Sequence, residues 1–93
     1  MIRLRGLDLF NNQLIGRLPP EIGNLINLGG LFIHNNQLTG SIPSTFSELS
    51  YLETFNVTGN CLTDFAPVSH VPNLIGVGTC KIKALPWLML LLD

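Results

Sequence analysis

The chain repeats itself at an interval of 24 residues, and this periodicity restricts its fold more than any other property of its 93 residues. Leu4, Leu28 and Leu52 share one column; Leu7, Leu31 and Phe55 share a second; Leu9, Ile33 and Val57 share a third. Asn12, Asn36 and Asn60 align without substitution, Leu14, Leu38 and Leu62 follow, and Pro19, Pro43 and Pro67 close the frame. A unit of this length is one supersecondary element that cannot bury its apolar face alone, so it must stack on its neighbours. A solenoid is therefore predicted.

Local chemistry fills in the unit. Leu7 and Leu9 alternate with Asp8 and Phe10, which is the period of a short strand. Asn11-Asn12 and Gly16 are turn formers and end it. The side-chain amide of asparagine carries both donors and an acceptor. Turned inward, Asn12, Asn36 and Asn60 are expected to form a ladder that satisfies buried backbone groups of adjacent units. Leu18-Pro19 and Ile42-Pro43 start the return segment, where proline fixes φ. Ile22, Leu25 and Leu28 then recur at every third position, as do Phe46, Leu49 and Leu52, the spacing of 3₁₀ or short helical turns.

The stretch Leu7-Asp8-Leu9-Phe10-Asn11-Asn12-Gln13-Leu14-Ile15-Gly16-Arg17-Leu18-Pro19 and its counterpart from Leu31 to Pro43 resemble the leucine-rich repeat, L-x-x-L-x-L-x-x-N-x-L. The added x-G-x-(I/L)-P half is similar to the plant-type 24-residue class of receptor-like kinase ectodomains and polygalacturonase-inhibiting proteins. The resemblance runs from Leu4 to Leu74. It implies an α/β solenoid: a short right-handed superhelix with a parallel concave sheet and 3₁₀ or irregular convex segments. The stack is expected over residues 1–80, with repeats at about 4–27, 28–51 and 52–73 and a closing strand at about 74–80. From Leu62 the frame changes. Leu62, Phe65, Val68, Val71, Leu74 and Val77 fall at every third place, similar to the repeat of about 22 residues in bacterial internalins. In that frame His70 faces solvent and Val77 joins the closing strand.

Residues 81–93 show no repeat, and Ala84 to Leu92 is strongly apolar but shorter than the ~20 residues of a membrane helix. Three readings stay open for it: a cap on the last repeat, a membrane-facing stub of a longer chain, or sequence foreign to the fold. The chain also opens inside a repeat, so a fragment of a longer horseshoe is the expectation. The charged start Met1-Ile2-Arg3-Leu4-Arg5 is not followed by an apolar stretch, and no signal peptide is read there.

Composition narrows the function. With 46% hydrophobic and 12% charged residues the chain does not resemble a disordered one, and a formal charge of -1 argues against nucleic-acid partners. Residues between and after the core leucines should face the concave side. Asp8, Phe10, Phe32, His34, Asn56 and Thr58 are the candidates there for binding a protein or peptide, because aromatic residues are enriched at interaction hot spots. Phe10 and Phe32 could instead merely cover the sheet. Asn56-Val57-Thr58 is an N-glycosylation sequon. Cys61 and Cys80 could clamp the C-terminal end as a disulfide, but their expected offset of about three residues strains the reach of such a bond, so free thiols stay open. Cys61, His70 and Cys80 have no metal-site spacing, and no metal or cofactor is expected. Asp64, Ser69 and His70 supply the residue types of a hydrolase triad without a nucleophile elbow or other catalytic motif. The expectation is thus no enzyme but a protein-interaction module. The resemblance implies a receptor ectodomain or secreted recognition protein, extracellular or at the cell surface as part of a longer chain. The alternatives are a cytoplasmic scaffold or regulatory protein and the recognition segment of a larger receptor kinase.

Overall fold

The computed structural model describes residues 4–80. The apolar tail at 81–93, and every reading of it, lies outside the described residues. Seven short strands are present among the described residues: β1 (Gly6–Asp8), β2 (Ile15–Arg17), β3 (Gly30–Phe32), β4 (Gln37–Ser41), β5 (Thr54–Asn56), β6 (Cys61–Thr63) and β7 (Asn73–Ile75). The chain winds from one coil to the next, so β1, β3, β5 and β7 align as a four-stranded parallel sheet in that order. On the opposite, convex side the return segments are 3₁₀ turns at Pro20–Asn24, Ser44–Glu48 and Ala66–Val68.

The register explains why the core is one continuous column. Leu7 pairs with Leu31 and Leu31 with Phe55, so the 24-residue period sets each apolar side chain on its counterpart. Leu28, Leu31, Ile33, Phe46, Leu49 and Phe55 lose all contact with solvent. Each such side chain contributes about 1.5–3 kcal/mol through burial. The Phe46 and Phe55 rings meet at a centroid distance of 6.1 Å and tie the convex turn to the concave strand.

A second parallel sheet, β2-β4-β6, was not expected from the sequence. Gly16 and Gly40, which read as turn formers, sit inside β2 and β4 with φ of 87° and 88°. Only glycine enters that region at little cost, so the strand signal is masked by the residue that makes the strand fit.

The third coil is shorter than the 22-residue expectation. Phe55 pairs with Leu74 and Asn56 with Ile75, a return after 19 residues. The closing strand is Asn73–Ile75, not 74–80, and Val77 lies beyond it, exposed. The cause is local. Pro19 and Pro43 lead into their 3₁₀ turns in extended conformation, with ψ of 132° and 141°, whereas Phe65 at the same point has φ -86° and ψ 8°. With Asp64 at φ 56° the chain turns straight into a three-residue 3₁₀ segment in place of the five-residue ones before it. His70 is exposed, and its Nε2 lies 2.8 Å from the carbonyl oxygen of Leu49, at the end of the preceding 3₁₀ turn.

The first two 3₁₀ turns approach closely at Gly23. A Cβ there would stand 2.5 Å from Thr45 Cβ and 2.6 Å from Thr45 O, and Thr45 Oγ1 donates a 2.7 Å hydrogen bond to Pro20 O. Gly23→Ala must therefore push the turns apart, and a loss of about 1–3 kcal/mol is expected, as for other overpacked sites. Thermal denaturation followed by circular dichroism checks this. An unchanged midpoint would show that the convex side yields freely.

Candidate binding surface

The concave sheet presents its outward side chains in rows. β1, β3, β5 and β7 bring Asp8, Phe32, Asn56 and Ile75 into register as one row. Two residues past the end of each strand come Phe10, His34, Thr58 and Val77, with Asn11 N donating to His34 O and Asn35 N to Thr58 O between coils. All six concave residues expected from sequence thus lie on this one face. Ile75 and Val77 extend it and were missed.

The rows are not chemically uniform. At the first two coils they are aromatic apart from Asp8. Phe10 is 42% exposed and stacks on His34 with ring centroids 4.7 Å apart and planes within 4°. Parallel in-register strands, about 4.8 Å apart, dictate this spacing. His34 Nδ1 is buried and has no hydrogen-bond partner among the described residues. The Phe32 ring lies back over its own strand: a Cβ on Gly30 would be 2.8 Å from Phe32 Cε2. Phe32 therefore does cover part of the sheet, while remaining half exposed. In the third coil the rows turn polar. Asn56 Oδ1 accepts hydrogen bonds from Thr58 N at 3.1 Å and from Thr58 Oγ1 at 2.7 Å. In the fourth coil they become apolar again, with Ile75 44% and Val77 49% exposed.

Buried asparagines hold these strands in place from beneath the turn. Asn36 Nδ2 donates to Leu9 O (2.8 Å) and Ile33 O (2.9 Å), and its Oδ1 accepts from Asn12 N (3.0 Å) and Leu14 N (2.9 Å). Asn60 donates to Ile33 O (2.8 Å) and Val57 O (3.2 Å) and accepts from Leu38 N (3.0 Å). Both are only 4% exposed. Asn12 stands apart from this pattern. It is exposed, and among the described residues its side chain donates only to Phe10 O, while its backbone N–H is held by Asn36. The fourth coil has a rung that sequence reasoning missed: Thr79 Oγ1 accepts from Gly59 N and donates to Gly76 O.

Cys61 and Cys80 form a disulfide with Cα atoms 4.5 Å apart. The 19-residue return explains it. The same shift that places Leu74 on Phe55 places Cys80 on Cys61, so the three-residue offset of a 22-residue frame disappears. Asp64, Ser69 and His70 do not assemble: Asp64 and Ser69 are exposed, and the His70 ring nitrogen pairs with Leu49 O. Among the described residues no group of three or more His, Cys, Asp or Glu converges, and no helix is long and apolar enough to cross a membrane.

Comparison with known proteins follows the same lines. The profile of the family described as Leucine Rich Repeat matches residues 3–25 and 27–49. No curated protein matches. Among solved structures, the chain is similar to a chain in the crystal structure of the BIR3–SERK2 complex from Arabidopsis thaliana, with 30% identity and a TM-score of 0.65. The likeness covers 87% of this chain and 48% of that one, so the present chain spans about half the length of its structural neighbour.

Proposed function

Because the chain belongs to the leucine-rich repeat family, we propose that it is a non-catalytic recognition module that binds a protein or peptide on the concave face of β1, β3, β5 and β7. The observation that carries this reading is the Phe10–His34 stack beside Phe32. Two aromatic side chains and an imidazole lie on the outward face of a sheet whose inward face already buries a complete core. Exposed aromatic clusters of this kind supply most of the energy of many interfaces. The solved neighbour is itself part of a two-protein complex, which supports a protein ligand. The Cys61–Cys80 bridge suits an oxidising compartment, hence a place outside the cell or at its surface as part of a receptor or secreted recognition protein.

Peptides selected from a random library against the wild-type chain provide the probe. Phe32→Ala is expected to weaken their binding at least about tenfold, the effect of losing a hot-spot residue, while the far-ultraviolet circular dichroism stays that of the wild type. Tyr51→Ala, a change at an exposed side chain before β5 and outside the rows, should leave affinity unaltered. Equal affinity for Phe32→Ala, or loss with Tyr51→Ala alone, would move the binding surface elsewhere.

A further inference from the structure

One residue of the concave face, Asn56, also opens the sequence Asn56-Val57-Thr58. We propose that Asn56 is the acceptor of an N-linked glycan, and that this glycan divides the face into two. The residues Asn56-Val57-Thr58 supply the required spacing of amide and hydroxyl. The structure adds their geometry. The Thr58 hydroxyl and the Thr58 N–H both donate to Asn56 Oδ1, at 2.7 and 3.1 Å. Asn56 Nδ2 donates to no group among the described residues. An amide nitrogen is a weak nucleophile because its lone pair is delocalised onto oxygen. Two hydrogen bonds onto that oxygen make the Nδ2 protons more acidic and so easier for a base to remove.

The donor is an oligosaccharide joined to a lipid through a diphosphate. Asn56 Nδ2 attacks the anomeric carbon, forming the N–C bond. The bond from that carbon to the phosphate oxygen breaks, and the lipid diphosphate leaves with the electron pair. Nδ2 gives up one proton to a base of the transferase. Asn56 is half-buried on β5, and its neighbour in the row, Phe32, leans back over Gly30 rather than toward it. A second feature of the same coil points to the compartment where this transfer occurs: the Cys61–Cys80 disulfide, which needs an oxidising environment to form and persist.

A glycan at Asn56 stands between the aromatic end of the rows (Phe10, Phe32, His34) and their apolar end (Ile75, Val77). Standing between them, it hinders one partner from spanning both. The inference concerns the modification alone and does not rest on the identity of any partner.

The full chain, expressed in eukaryotic cells behind a secretory leader, tests it by intact mass and by gel mobility before and after peptide-N-glycosidase. The expected result is one glycan on the wild type, retained in Thr58→Ser and lost in Asn56→Gln and Thr58→Val. Wild-type chain that is secreted with its disulfide formed but carries no glycan overturns the proposal, whether or not the variants fold. Loss of peptide binding in Phe32→Ala is measured on unglycosylated protein made in bacteria, so the two proposals fail separately.

Discussion

Asn36→Ala is expected to lower stability by about 3 kcal/mol or more, the largest effect of any single side-chain truncation on the turn. Asn36 makes two donor and two acceptor bonds at 2.8–3.0 Å, and three of them reach back to the preceding coil. Alanine leaves Leu9 O, Ile33 O, Asn12 N and Leu14 N without these partners. A net hydrogen bond contributes about 1 kcal/mol, and a buried polar group left unpaired costs about 1–3 kcal/mol. Water reaches some of these groups at the first coil, which keeps the sum well below the simple total. Asn12→Ala, at an exposed side chain whose sole bond is to Phe10 O, should cost less than about 0.5 kcal/mol, as surface substitutions do. Urea denaturation of the pair decides the matter. Similar midpoints for both variants would contradict the role assigned to the buried amide.

Removing the disulfide should have a comparable effect. The bridge closes a loop with a sequence separation of 19, for which restriction of the unfolded chain is worth about 3 kcal/mol. The Cys61→Ser, Cys80→Ser double variant is expected to lose this amount and to become insensitive to reductant. Wild-type protein under reductant should fall to the midpoint of the variant. If reductant leaves the wild-type midpoint in place, the fourth coil is held by its other contacts: the β5–β7 pairing and the Thr79 hydroxyl.

The first two coils were readable because strand periodicity and stacking repeat the same demand at one interval. Leu31 and Ile33 must be apolar for the reason that Leu7 and Leu9 are, and Phe32 and His34 must point the other way. The third coil was harder. Its apolar residues at every third place suited a 22-residue unit, and that frame set Cys80 three residues away from Cys61. A 19-residue frame joins Phe55 to Leu74, Asn60 to Thr79 and Cys61 to Cys80 at once. Its signal in the sequence was weak because threonine replaces asparagine as the rung and Ile75 and Val77 replace polar residues on the surface. The second sheet stayed hidden for a different reason. Its central glycines adopt a conformation that propensity rules assign to turns, and the stack imposes the pairing that single-strand preferences do not reveal.

The rungs, two buried and one half-buried, all reach one way along the stack. Asn36 binds backbone groups of the first coil, Asn60 those of the second and Thr79 those of the third. A polypeptide emerging from the ribosome therefore cannot complete any coil until the following one has been made. Acquisition of structure lags translation by one unit along the described coils, and the Cys61–Cys80 bond can form only after the fourth coil has been made.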